Sequence, residues 1–111
     1  MIVSRDGAMA QNKEQITARV KEFITSLGSM YPVHCVYLFG SWAEDRAGEN
    51  SDVDIGVILD KPVSILERQE LFALGKEYDL DFDVLAVSKA DFETEDPVIV
   101  HEMKQKGIRV A

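Results

Sequence analysis

The chain has 111 residues, of which 46% are apolar, and a formal net charge of −8. That length holds one hydrophobic core and no second domain, and the apolar share is that of a globular protein rather than a disordered one. The acidic balance, with no run of Lys or Arg, argues against wrapping nucleic acid, which needs a basic face, and suits a basic protein partner.

The single cysteine, Cys35, cannot form an internal disulfide and fits a reducing compartment. The N-terminus lacks the charged and apolar regions of a signal peptide. No apolar run approaches the ~20 residues that cross a bilayer. A soluble, cytoplasmic protein without membrane contact is expected.

Residues 1–11 show no periodicity and read as a flexible arm ahead of a single domain over 12–111. Asn12 is placed to cap a helix whose apolar residues Ile16, Val20, Phe23, Ile24 and Leu27 share one stripe. Gly28 is its expected C-cap. Val33 to Phe39 is continuously apolar apart from His34, which predicts a central strand buried on both faces and stopped by Gly40. Residues 41–47 predict a short helix and 47–50 a loop. A second strand runs from Val53 to Leu59, with Asp52 and Asp54 at its start. Gly56 within it marks close approach by a neighbour or a ligand.

Ser64 and Glu67 have capping-box spacing. The helix they open runs to about Tyr78, with Ile65, Leu71, Phe72, Leu74 and Tyr78 expected inward. Leu80 to Val87 predicts a third strand, with Leu80, Phe82 and Val84 on one face and Asp79, Asp81 and Asp83 on the other. Residues 88–95 read as a connection. Asp96 and Pro97 form an N-cap and first-turn proline for a last helix through Ile99 and Met103, with Gly107 at C′. Ile108 to Val110 reads as an edge strand. Helices and strands alternating in this way make a layered α/β domain.

The chemistry concentrates between Leu38 and Leu59. Carboxylates two positions apart on a strand leave from one face and repel unless a cation lies between them. Mg²⁺ prefers such oxygen ligands together with substrate phosphates. Gly40-Ser41 offers a tight turn, a hydroxyl and exposed N–H groups, which suit a phosphate. Together they read as half of a nucleoside triphosphate site.

Blander readings stand beside this one. A lone Asp-x-Asp is more often a solvated strand end, and alternating acids are more often a polar strand face. Ser51 reads as a turn residue. Trp42 either packs the short helix or lines a substrate or partner surface. His34 and His101 read as structural, because no Cys/His set has zinc spacing. Cys35 has no basic neighbour and does not read as a nucleophile.

Gly40-Ser41, ten residues, then Asp52-Val53-Asp54 resembles the signature of the polymerase-β-type nucleotidyltransferase superfamily. The likeness extends through Leu38-Phe39-Gly40-Ser41-Trp42-Ala43 and Asn50-Ser51-Asp52-Val53-Asp54-Ile55. In size the chain is similar to the minimal nucleotidyltransferases (MNT), the antitoxin type often encoded beside a helical HEPN partner. The resemblance implies the nucleotidyltransferase fold, an α/β (α+β) domain with a small mixed β-sheet flanked by helices.

It also implies a third carboxylate on the next core strand. Asp83-Val84-Leu85-Ala86-Val87 fits that pattern, with Asp81 as the fallback. Asp52, Asp54 and Asp83 would then be the catalytic and metal-binding residues for two Mg²⁺ ions, at the ~3.5–4 Å separation of two-metal sites. Gly40 and Ser41 would grip the triphosphate of ATP.

The implied reaction is transfer of AMP to a hydroxyl, foremost a tyrosine of a HEPN-type toxin, with this chain as the antitoxin in a hetero- or homo-oligomer. Two alternatives remain open: an antitoxin that neutralises its partner by binding alone, and transfer to a small molecule such as an aminoglycoside. One departure counts against easy assignment. The family's usual glycine two residues after Ala43 is Asp45 here, preceded by Glu44, with Arg46 as the available counter-charge.

Overall fold

The computed structural model describes residues 13–40, 52–94 and 98–111. The N-terminal arm and Asn12, the segment expected as short helix and loop, and the Asp96-Pro97 helix start lie outside these residues. So do Ser41, Trp42, Asp45, Arg46 and Ser51.

Helix α1 (Lys13–Leu27) is followed by β1 (Val33–Phe39), β2 (Val53–Leu59), α2 (Ile65–Tyr78) and β3 (Phe82–Ser88). Two short helices, α3 (Lys89–Thr94) and α4 (Val98–Lys106), lead to the edge strand β4 (Ile108–Arg109). The sheet order is β3-β2-β1-β4. β1 runs antiparallel to β2 and β4, while β2 and β3 are parallel. The sheet is therefore mixed and flanked by helices.

Alternation along the strands fills two cores. Val36 and Leu38, the odd-numbered residues of β2, and Phe82, Val84 and Ala86 join the α1 stripe and Leu71 of α2. All five apolar residues of the predicted α1 stripe are buried there. The opposite face gathers Cys35, Phe39, Ile58 and Met103, with Phe92 packed against them. β1 is thus buried on both faces, as its continuous apolar run implies.

Gly56 faces α4: a Cβ there would overlap the Met103 thioether. The close approach predicted at this glycine is made by a neighbouring helix. Gly107 is equally constrained, because an added Cβ would meet the Met103 carbonyl and lie 3.3 Å from that of Leu38. Neither Gly28 nor Gly107 takes the left-handed conformation of a C-cap glycine; among the described glycines Gly40 alone has positive φ. α1 ends instead through Met30 and Tyr31, whose N–H groups both donate to the Leu27 carbonyl at 2.8 and 2.9 Å.

Three expectations are corrected. Ile65 and Phe72 of α2 are 74% and 45% exposed. The helix rests on the sheet through Leu71 and Gly75. At about 100° per residue, Ile65 lies about 120° around the helix from Leu71 and Phe72 about 100°, so both miss the contact face. Leu80 is 80% exposed, because β3 starts only at Phe82. Asp79 makes a turn first, accepting from Asp81 N–H on Oδ1 at 2.9 Å and from Phe82 N–H on its carbonyl at 3.0 Å. Residues 88–95 contain α3, capped by the Ser88 hydroxyl accepting from Asp91 N–H at 3.1 Å.

The Ser64–Glu67 capping box is present in full, and Lys61 pairs with the Glu67 carboxylate. Burial pushes the Cys35 thiol up, with Arg109 opposing and Asp60 adding to the shift, which moves it away from the low values of nucleophilic thiols. His34 lies 3.5 Å from Asp60 at an exposed position, and His101 is exposed. Among the described residues, no helix is long and apolar enough to cross a membrane.

Leu71→Ala should cost about 2–5 kcal/mol, the usual range for a fully buried leucine, measured by denaturant unfolding. In the same assay Gly107→Ala should cost more than Gly56→Ala. The first substitution strikes backbone carbonyls that cannot move aside; the second strikes the end of a flexible methionine.

Candidate functional site

Three strand ends meet at one edge of the sheet. β1 finishes with Phe39 opposite Asp54 in the antiparallel register. The next residue, Gly40, turns away with φ 72°, and a Cβ there would overlap the Asp54 carboxylate. Glycine is needed twice over at this position, for its backbone conformation and for the carboxylate lying against it.

Asp54 is in register with Asp83 on the parallel strand β3. In-register residues of parallel neighbours leave from the same face, about 4.8 Å apart along the hydrogen-bonding direction. Asp52, exposed and immediately before β2, is two positions away from Asp54. The acids lie on the α4 side of the sheet, where the row Ile58, Gly56, Asp54 runs from the small core to the open end.

Electrostatics ties the group together. Partial burial, then Asp83, then Asp52 push the Asp54 carboxyl above the usual carboxylate range, and Lys76 opposes them. Asp81 is exposed, and its carbonyl accepts from Val53 N–H at 2.7 Å. Asp79 is committed elsewhere: its Oδ2 pairs with Arg19 at 2.9 Å. Nearby, the Tyr78 hydroxyl donates to Glu22 at 2.6 Å while its ring lies 5.7 Å from that of Phe82. This ties α1, the end of α2 and the start of β3 together, and so fixes where Asp83 emerges.

Sequence reasoning missed Lys76. In the last turn of α2, its ammonium pairs with Asp83 Oδ1 at 2.7 Å and donates to the Leu80 carbonyl at 3.0 Å. It also sits 5.3 Å from the centre of the Phe72 ring. The one available signal was a lysine in the final helical turn before an acidic strand.

The donor set of Asp52, Asp54 and Asp83 suits a hard divalent cation: all oxygen, all carboxylate, with mutual repulsion that a cation would relieve. Among the described residues, no three such side chains are already drawn together as a chelate, and one Asp83 oxygen is engaged by Lys76. Gly40 borders the acids, whereas Ser41 is outside the described residues. A cleft of about 510 Å³ opens at the other ends of β2 and β3, between residues 60–63 and 88–91. By strand length it is about 20 Å from the carboxylates.

Comparison with known proteins agrees with this architecture. The chain is 26% identical over 98 residues to a candidate protein adenylyltransferase of Methanocaldococcus jannaschii, covering 86% of this chain and 99% of that protein. Its fold matches a chain of a toxin–antitoxin structure with AMP-PNP, at TM-score 0.64 and 22% identity, covering 86% of this chain and 72% of the other. It also matches a chain in a structure of tri-AMPylated Shewanella oneidensis HEPN toxin in complex with MNT antitoxin. There the TM-score is 0.58, with 19% identity and coverage of 89% and 71%. The model of the nucleotidyltransferase domain matches residues 20–110. That span takes in every described strand, and on it the chain belongs to the nucleotidyltransferase domain family.

Proposed function

We propose that this nucleotidyltransferase moves AMP from ATP to a protein hydroxyl with Mg²⁺, that the acceptor is a tyrosine of a HEPN-type toxin, and that the modification silences the toxin. The observation that carries the reading is the in-register pair Asp54 and Asp83, with Asp52 two positions from Asp54. Asp52, Asp54 and Asp83 hold the ions. Bound Mg²⁺ supplies charge neutralisation on the phosphate oxygens during in-line displacement. Gly40 keeps the Asp54 carboxylate against the backbone, and Gly40 with Ser41 grips the phosphates. The acceptor hydroxyl gives its proton to a carboxylate of the site as its oxygen bonds to the α-phosphorus, the P–O bond to the β-phosphate breaks, and pyrophosphate leaves with that bond's electron pair.

Two further features support the acceptor and the antitoxin role. Both structural neighbours come from toxin–antitoxin complexes, one with AMP-PNP and one with an AMPylated HEPN toxin. The net charge of −8 suits a basic partner.

Incubation with α-labelled ATP, Mg²⁺ and a HEPN-type toxin should place label on a toxin tyrosine. Asp54→Asn should lower the rate about a hundredfold or more while the protein stays folded, since the change removes charge stabilisation of several kcal/mol. No transfer by the wild type, or equal transfer by Asp54→Asn, overturns the reading. A folded Asp54→Asn that still protects cells from the toxin would favour neutralisation by binding.

Gly40→Ala should lower unfolding stability by about 1–2 kcal/mol and lower transfer as well, because the methyl group must push Asp54 off its position. Unfolding and label transfer measured on the same preparation check both effects.

A further inference from the structure

Lys76 is the described cation in direct contact with the acid cluster. It reaches that cluster from the opposite layer. α2 packs on the face with Phe82 and Val84, while Asp83 leaves from the other face. β3 is the edge strand on this side, so the lysine stem passes around the sheet edge to Asp83. The Leu80 carbonyl at 3.0 Å and the Phe72 ring at 5.3 Å hold the ammonium from the α2 side. Asp52 and Asp81 are also within its electrostatic reach.

We propose that Lys76 is a positioning residue that serves as a built-in counter-cation for Asp83, and that a divalent ion must displace it from that carboxylate in order to bind. The inference rests on reading Asp52, Asp54 and Asp83 as the cation site. A divalent ion and an ammonium cannot share an Asp83 oxygen without strong repulsion. Displacement leaves Lys76 with two partners already in place, the Leu80 carbonyl and the Phe72 face. The lysine therefore moves a short way instead of entering bulk water. Its charge lowers cation affinity and, in exchange, keeps three like charges compatible with a folded sheet edge when no divalent ion is bound.

Mn²⁺ binding, followed by the electron paramagnetic resonance of the free ion, reads this directly. Lys76→Met should bind Mn²⁺ about threefold or more tightly than the wild type, the yield of releasing a partly exposed ion pair. Lys61→Met, which removes the same charge at the far end of β2, should leave the affinity within twofold. Lys76→Arg should stay near the wild type. The melting temperature of Lys76→Met should fall further below the wild type in EDTA than in saturating Mg²⁺.

Equal or weaker Mn²⁺ binding by Lys76→Met, or equal losses of melting temperature in the two media, overturns the role of Lys76 alone. No Mn²⁺ binding by the wild type, or binding that Asp54→Asn does not weaken, overturns the cation site as well. If Lys76→Met does not fold, Lys76→Gln keeps a donor for the Leu80 carbonyl and carries the same comparison.

Discussion

Asp54 and Asp83 lie side by side on parallel strands, and the fold must oppose their repulsion. Two unit charges about 5 Å apart repel by about 3 kcal/mol at the effective dielectric of a protein surface. That is a sizeable part of the ~5–15 kcal/mol by which a domain is stable. Slipping the β2–β3 register would separate the charges. A slip of one residue, however, would send the acids toward the large core and its apolar residues toward the open face. Burial of Val53, Ile55, Val57 and Leu59 opposes that slip. Hydrophobic alternation thus holds a charge arrangement that electrostatics alone would reject.

α2 shows how little packing is needed to position a site. Its buried contact is Leu71 and Gly75, and the Val84 side chain occupies the space a Cβ at position 75 would take. Most of its control lies at its C-terminal end, in Lys76, Tyr78 and Asp79. Arg19 grips Asp79 at 2.9 Å and lies 5.4 Å from the centre of the Tyr78 ring, yet its Nε is buried without a partner. An unsatisfied buried donor costs about 1–3 kcal/mol. The arrangement favours a fixed turn into β3 over full hydrogen bonding of this arginine.

Pattern made α1, β1 and β2 legible, because each is dominated by one: a helical stripe, or a mostly apolar run broken at His34 in β1 and at Asp54 and Gly56 in β2. Gly40, Asp52 and Asp54 were singled out by their spacing, and Asp83 by the family's third-carboxylate pattern; the register places Asp83, rather than Asp81, beside Asp54. α2 was harder to read. Its apolar residues surround the helix, so the sequence placed Leu71 inward correctly but did not separate it from Phe72, which faces outward. Leu80 continued an alternating pattern, but the Asx turn at Asp79 took precedence over it. Lys76 was hidden for a different reason. Its role arises where a helix end, a turn carbonyl and a strand from another layer converge, and no period in the sequence encodes that meeting.

The direction of the strands explains why residues so far apart in the chain converge. β2 and β3 must be parallel for Asp54 and Asp83 both to stand at strand beginnings, and a parallel pair needs a crossover, here supplied by α2. β1 must run the other way for its final residue, and then Gly40, to arrive at that same edge. Reversing any one strand would carry its polar residue about 20 Å away, to the end where the 510 Å³ cleft lies. The same crossover helix ends at the acid edge. A cation in its last turn is therefore delivered to Asp83 by the connection that makes the strands parallel.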